Sequence, residues 1–102
     1  WELSKSFDNS AAIGTFIPLA EAGNVNDLSF RLDLNGKTVQ EGHTREMLFS
    51  VDRIIAYVSR FFTLKIGDLI YTGTPAGVGP VHIGDRLEGY LGDRKLLDFH
   101  VR

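Results

Sequence analysis

One segment constrains the fold of this chain more than any other. Leu28 to Leu34 alternates apolar and polar residues without interruption, and Asn35-Gly36 follows at once. Strict alternation indicates a strand with one buried face. Asn-Gly is the preferred pair for a type I′ turn between antiparallel strands. We therefore predict a β-hairpin whose second strand runs from Lys37 to Glu41.

The hydrophobic pattern changes period after this hairpin. Apolar residues between Val51 and Phe62 recur at i, i+3, i+4 and i+7 spacing, with charged or small polar residues between them. This pattern is typical of an amphipathic helix. Ser50 is expected to cap its first turn, and Asp52 suits the positive end of the helix dipole. The helix is predicted to end near Thr63.

Other stretches have the composition of strands and are bounded by turn residues. They are Ile13 to Leu19, Leu69 to Thr72, and a pair, Arg86 to Leu91 and Leu96 to Val101, joined at Gly92-Asp93. In that pair, His100 is expected to face solvent. Its expected buried positions are Leu87, Tyr90, Leu97, Phe99 and Val101. The chain is thus predicted to be an α+β, mainly β unit with one helix.

Composition excludes several classes of function. The chain has 102 residues and no Cys, which rules out disulfides and thiolate chemistry. Its 11 Lys and Arg are scattered among 13 Asp and Glu, so the basic stripe of a nucleic-acid-binding protein is missing. No apolar run approaches the roughly 20 residues that cross a bilayer, and the first residues lack the plan of a signal peptide. We predict a cytoplasmic protein that binds neither nucleic acid nor membrane.

The segment from Gly73 to Pro80 is rich in glycine and proline. Glycine permits positive φ and close approach of the backbone to a ligand, while proline stiffens the path. Such a loop can present amide groups to an anion or simply make a tight connection between strands, and its spacing fits both interpretations. It is not a Walker loop, because no Lys-Ser or Lys-Thr follows its last glycine. Thr74 carries its one hydroxyl.

Histidines and carboxylates give weaker signals. His43, His82 and His100 are far apart in sequence, and none has a second ligand at a metal-binding spacing. Glu41, His43 and Glu46 lie together between the hairpin and the helix, where they either line a cleft or form a hydrated loop. The sequence therefore predicts no metal site among these groups.

The strongest signal is a resemblance that covers the chain from Trp1 to its end. The run from Gly67 to Val81, followed by Gly84-Asp85, closely resembles the signature of the fumarylacetoacetate hydrolase family. Ser4 to Phe7 resembles the lysine motif of that family. Asn35 to Gly42 and Met47 to Ser50 resemble its middle region, in the same order. The similarity is strongest to the short acylpyruvate hydrolase and oxaloacetate decarboxylase types.

The resemblance implies both a fold and an activity. The fold would be a mixed β-sheet rolled into a barrel-like shape, with residues 1–102 as the C-terminal portion of one catalytic domain, assembled as a homodimer. The activity would be Mg²⁺- or Mn²⁺-dependent cleavage of a C–C bond in a small-molecule 2-oxo or 1,3-dioxo acid. Two alternatives stay open: isomerisation or hydration of a 2-oxo-dienoate on the same fold, and a non-catalytic dimerisation module.

The resemblance also implies roles for individual residues. Lys5 matches the family lysine that faces the substrate carboxylate or the enolate formed from it, so it is the expected catalytic residue and a substrate-binding one. Gly73, Thr74 and Pro75 match the loop that binds the acid end of the substrate. No metal ligand is assigned in this chain, since the family places its ligands ahead of the lysine motif. The chain by itself is therefore expected to be inactive.

Overall fold

The computed structural model of the chain describes residues 12–102. Lys5 lies outside the described residues, as does the rest of the lysine motif. The described helices are α1, Leu19–Ala22, and α2, Val51–Ser59, with a 3-10 turn at Thr44–Glu46. The strands are β1, Ser29–Leu34; β2, Lys37–His43; β3, Arg86–Leu91; and β4, Arg94–His100.

The strands form one four-stranded sheet in the order β2-β1-β3-β4. Every neighbouring pair in it is antiparallel. This confirms the α+β, mainly β class. The expected mixed sheet rolled into a barrel is not what residues 12–102 form, since their sheet is antiparallel and open, with β2 and β4 at its edges.

Both predicted hairpins are confirmed. Asn35 and Gly36 adopt φ of 52° and 83°, the positive values that a type I′ turn requires at both central positions. The second strand continues to His43, two residues beyond its predicted end at Glu41. The other hairpin turns at Gly92-Asp93, where Gly92 has φ of 59°.

The predicted helix is also present. The hydroxyl of Ser50 accepts a hydrogen bond from the amide of Arg53 at 3.3 Å, so Ser50 is the N-cap as expected. The helix ends at Ser59, four residues before Thr63. There the amide of Arg60 donates to the carbonyl of Tyr57 at 3.2 Å, and such three-residue bonds tighten and terminate a last turn.

Two predicted strands were wrong. Residues 12–18 have no regular structure and lead into α1, while Leu69 to Thr72 also has no regular structure and no ladder partner among the described residues. The first segment contributes a single backbone bond to the sheet, from the amide of Thr15 to the carbonyl of Leu96 at 2.6 Å. Their residue composition suits a strand, but a strand also needs a neighbouring strand to pair with, and composition does not predict one.

No residue in the range 12–102 is fully buried. The positions predicted to be buried in β3, β4 and the residue after β4 are all half-buried, while His100 is exposed as expected. Large apolar side chains remain in water, among them Phe61 and Phe62, whose exposed fractions are 64% and 67%. No helix in the same range is long and apolar enough to cross a membrane.

Candidate functional site

The site begins with an irregularity in the edge strand β2. From the hairpin turn, Leu34 pairs with Lys37 and Asp33 with Thr38, but Leu32 then pairs with Gln40. Val39 is therefore the extra residue of a β-bulge. Because residues paired across two strands share a face, Gln40 lies on the same face of the sheet as Leu32.

The glycine-rich loop lies against this bulge through the side chain of Gln40. The Nε2 group of Gln40 donates to the hydroxyl Oγ1 of Thr74 at 2.9 Å and to the carbonyl oxygen of Pro75 at 2.9 Å. A carbonyl oxygen can only accept, so the bond to Pro75 fixes which end of the Gln40 amide faces the loop. Two of the predicted substrate-binding residues are thus held by one side chain.

Two glycines allow the loop to approach β2 closely. A Cβ added to Gly77, whose φ is 106°, would collide with the carbonyl oxygen of Val39. A Cβ added to Gly42 would lie 2.9 Å from the ring of Phe30 and 3.5 Å from Pro75. Glycine is therefore required at Gly77 both for its backbone conformation and for space.

The same loop forms one wall of a cleft of about 510 Å³. On the loop side the cleft is lined by residues 72–76, which include the predicted residues Gly73, Thr74 and Pro75. The opposite side is lined by residues at the end of β2 and in the segment that precedes α2. These are Gly42, His43, Glu46, Met47, Leu48 and Phe49. Gln40 is outside this lining, behind Thr74.

His43 and Glu46 line this cleft, and both of them together with Glu41 line an adjacent one. Of the two interpretations left open by the sequence, the structure thus favours a cleft. His43 is nevertheless fully engaged. Its Nδ1 accepts from the amide of Arg45 at 3.1 Å, and its Nε2 lies 3.1 Å from a carboxylate oxygen of Asp27. A ring with both nitrogens bonded has no free lone pair to act as a base.

The opposite face of the sheet carries a network of charges. Arg86 forms a two-bond ion pair with Asp98, at 2.9 and 2.7 Å. Lys95 bridges Asp98 and Glu88 at 3.1 and 3.2 Å. The hydrogen bonds from Arg86 and then Lys95 hold the pKa of Asp98 well below its usual range. These pairs join β3 to β4 and are not among the residues that line the cleft.

The described residues do not offer a metal site. No group of three or more His, Asp or Glu side chains within residues 12–102 could hold an ion. His82 is exposed and lies 3.7 Å from Asp85, its neighbour in the turn before β3. The donor set of the described part therefore does not fit a bound Mg²⁺ or Mn²⁺, which prefers several oxygen ligands.

Comparison with known proteins identifies the family. A family model described as fumarylacetoacetate (FAA) hydrolase C-terminal matches residues 1–101. The chain therefore belongs to the fumarylacetoacetate hydrolase family, as its motifs predicted.

Individual relatives agree with this assignment. Oxaloacetate tautomerase YcgM of Escherichia coli is 48% identical over 88 residues, which cover 85% of this chain and 40% of the relative. The crystal structure of a fumarylacetoacetate hydrolase family protein from Yersinia pestis is 42% identical and has a TM-score of 0.93, over 100% of this chain and 46% of the other.

A further structure was solved with ligands. It is a fumarylpyruvate hydrolase from Pseudomonas aeruginosa in complex with Mn²⁺ and pyruvate, 38% identical with a TM-score of 0.87, over 99% of this chain and 43% of the other. The chain spans about half the length of the curated relatives it matches.

Gln40 is the residue that sequence reasoning missed. It follows Asn35-Gly36 in a strand that was expected to pair without interruption, and in that register Gln40 would oppose Arg31 on the polar face. Nothing in the local sequence connects Gln40 to a loop more than thirty residues later.

Proposed function

We propose that this chain forms the acid-binding side of a divalent-metal-dependent enzyme that acts on small 2-oxo acids through an enol or enolate. The observation that carries the proposal is the cleft lined by Gly73, Thr74 and Pro75, of which Thr74 and Pro75 are held by Gln40 of β2. Relatives that act on such acids, and one solved with Mn²⁺ and pyruvate, support it.

Each residue has a distinct part in this proposal. The hydroxyl of Thr74 and the amides of the loop at Gly73 bind the acid end of the substrate. Lys5 places a positive charge beside the enolate as it forms, and fixed charge aimed at developing negative charge is a large source of catalysis. The role of Lys5 rests on the family resemblance alone.

The metal requires ligands from beyond the described residues. We propose that these come from a portion of the domain that lies ahead of the lysine motif in the family. A divalent ion there would act as a Lewis acid on the oxo group. Titration calorimetry of Mg²⁺ and oxalate into the 102-residue chain should then give no metal-dependent heat. Clear chelate binding would contradict the proposed origin of the ligands.

Two reactions fit the proposed site. Keto–enol tautomerisation of oxaloacetate is favoured by the name of the curated relative from Escherichia coli. Cleavage of a C–C bond, by hydrolysis of an acylpyruvate or decarboxylation of oxaloacetate, is favoured by the fumarylpyruvate hydrolase structure. Both pass through negative charge on the oxo oxygen, so the described half of the site serves either reaction.

The release of pyruvate distinguishes these reactions. The full-length gene product is given Mg²⁺ and freshly prepared enol oxaloacetate, and the ultraviolet band of the enol is followed alongside pyruvate in a lactate dehydrogenase coupled assay. A tautomerase removes the enol without forming pyruvate, whereas a decarboxylase forms pyruvate. An acylpyruvate tests hydrolysis in the same way. Absence of all three activities, with metal present, would refute the proposal.

Two substitutions test the residue roles in the active full-length protein. Lys5→Ala should reduce kcat by about 100-fold or more, because it removes a charge that acts on the transition state. Thr74→Val should mainly raise KM, since it removes a contact to the acid group made before and during reaction. Thr38→Val is the matched control, because Thr38 lies on β2 outside the cleft and donates to Asp33. Near-normal kinetics of Lys5→Ala would remove it from the mechanism.

We also propose that the full-length protein is a homodimer, as the resemblance implies. The exposed apolar residues just after α2, Phe61 and Phe62, support an assembly that covers apolar surface. Light scattering coupled to gel filtration should give twice the mass of one chain. A monomeric mass at micromolar concentration would contradict this assembly. The cytoplasmic location stays a prediction.

A further inference from the structure

The bulge in β2 determines which side chain faces the glycine-rich loop. In an uninterrupted hairpin, Leu32 would pair with Val39, and Gln40 would oppose Arg31. The observed register instead pairs Leu32 with Gln40 and leaves Val39 as the extra residue. An apolar side chain is thus exchanged for an amide on the apolar face. Bulges commonly redirect a side chain in this way near functional sites.

The NH2 group of the redirected amide bonds to the loop twice. Gln40 is half-buried, and both protons of its Nε2 group are donated, one to Thr74 and one to Pro75. Two independent contacts bring the loop to the same place, namely Gly77 against the carbonyl of Val39 and Pro75 above Gly42. The position of Thr74 relative to β2 is therefore set at three points.

The bond from Gln40 also sets the direction of the Thr74 hydroxyl. A hydroxyl has one proton and two lone pairs. Because Gln40 donates to Thr74 Oγ1, one lone pair is occupied, and the Thr74 proton must point elsewhere. No acceptor among the described residues takes that proton, and Thr74 is exposed in the cleft wall.

We infer that Gln40 is a positioning residue that makes the Thr74 hydroxyl a hydrogen-bond donor toward the acid group of the substrate. An anionic carboxylate only accepts hydrogen bonds, so a hydroxyl facing it with a lone pair would repel it. Gln40 itself does not line the cleft. This inference rests on the proposed function, in which Thr74 binds the acid end.

The test is a double-mutant cycle in the full-length protein, with KM and kcat measured for its 2-oxo acid. Gln40→Met keeps the length of the side chain and removes both donors. It should raise KM by about tenfold with a smaller change in kcat. The reason is that the bond from the Thr74 hydroxyl to the charged acid group stabilises the bound substrate and the transition state alike. In a Thr74→Val background, Gln40→Met should change KM by less than about twofold, since coupled residues are not additive.

A second variant protects the test against misfolding of the first. Gln40→Glu has nearly the same shape but can only accept when ionised, so it would draw the Thr74 proton away from the substrate. It should raise KM at least as much as Gln40→Met. Thr38→Met, on the same strand and outside the cleft, is the control and should leave KM unchanged. Urea midpoints of all variants identify any that are unfolded.

The outcomes distinguish a failure of the inference on Gln40 from a failure of the proposed function of the loop. If Thr74→Val leaves KM unchanged, the proposed role of the loop fails. If Thr74→Val raises KM while neither Gln40 variant does, only the inference on Gln40 fails. If Gln40→Met raises KM equally with and without the Thr74 hydroxyl, Gln40 acts only on the shape of the loop, and the inference is again overturned.

Discussion

The two edge strands of the sheet are built alike. Each carries one bulge, at Val39 in β2 and at Leu96 in β4. In each case a glycine from another segment lies against the carbonyl of the bulged residue: Gly77 at Val39 and Gly14 at Leu96. An added Cβ would collide with that carbonyl at either place. One backbone arrangement thus occurs at both ends of the same sheet.

What differs is the kind of contact that accompanies the glycine. At β4 the only bond to the bulge from residues 12–102 outside the sheet is a backbone one, from the amide of Thr15 to Leu96. At β2 the residue after the bulge, Gln40, sends its side chain to Thr74 and Pro75. Backbone contacts fix a segment, whereas a side-chain amide also sets the hydrogen-bonding direction of the group it meets. We therefore expect β2 to determine function and β4 to determine stability.

Gly77→Ala should have the largest effect and tests this contrast directly. The substitution places a Cβ against Val39 in a residue with φ of 106°, so the loop must move away from β2. Displacement by about 1 Å can cost about 100-fold in rate, and we expect kcat/KM to fall by about that factor in the full-length protein. Steady-state kinetics on variants shown to be folded by circular dichroism provide the measurement.

Gly14→Ala is the matched substitution at the other edge. The backbone of Gly14 is not in the left-handed region, and residues 12–18 are free of regular structure. We expect kcat/KM to stay within about threefold of the parent while the free energy of unfolding falls by about 1 kcal/mol. An equal loss of activity in both variants would end the distinction between the edges.

Asn35→Ala should have an intermediate effect, because Asn35 joins the two hairpins. Its side chain accepts from the amide of Arg86 at 2.8 Å and donates to Asp85 at 2.9 Å, while its own φ is 52°. Loss of the Arg86 bond and the cost of a left-handed Ala should lower the free energy of unfolding by about 2 kcal/mol. Urea denaturation of the full-length protein measures it.

Asn35→Gly serves as the control for the turn, because glycine accepts the same φ while losing the side-chain bonds. It should destabilise less than Asn35→Ala. Asp85 gives an independent readout, since the hydrogen bond from Asn35 is the first cause of its lowered pKa. In both variants the pKa of Asp85, followed by NMR, should rise toward its usual value. An unchanged pKa would show that Asn35 does not hold this carboxylate.

Asp98→Asn should have the smallest effect, confined to stability and to its dependence on pH. The folded-state pKa of Asp98 is lowered by Arg86 and Lys95. The ionised Asp98 therefore contributes to the free energy of unfolding above the unfolded pKa of about 3.9. That contribution is lost as pH falls below this value. The pair is solvent-exposed, and such pairs are weak and screened by salt.

The measurement is the urea midpoint at pH 7 and at pH 3, at low and high salt. The parent should lose more stability than Asp98→Asn between these two pH values, and high salt should reduce the difference. Activity at pH 7 should be unaffected, because Asp98 lies on the face opposite the cleft. Loss of activity in this variant would place the charge network of β3 and β4 in the functional site.

The features that sequence predicted were those encoded by neighbouring residues. Asn35-Gly36 needs only two positions to specify a turn, and the apolar spacing from Val51 specifies a helix face without reference to the rest of the chain. The family motif identified Thr74 in the same local way. The turn and the helix are confirmed, because the interactions that stabilise them lie within a few residues. The substrate-binding role of Thr74 stays a prediction.

The predictions that failed depended on a distant partner. Ile13 to Leu19 and Leu69 to Thr72 have strand composition, but no described strand pairs with them. The bulge at Val39 was equally invisible, since a one-residue change of register depends on what lies opposite. Gln40 could not be identified for the same reason: its importance comes from a loop at residues 74 and 75.

The span of that contact has a consequence for the order in which the molecule forms. Gln40 and Thr74 are separated by 34 positions, whereas the turn at Asn35 closes within its own hairpin. Local hairpins and helices form early, and closing a long loop costs entropy that only later contacts repay. The cleft is therefore expected to mature last during folding and to open first in the native state. Amide exchange in residues 73–79 should be faster than in β1 and β3. This opening of the cleft gives a small acid a route in and out without unfolding the sheet.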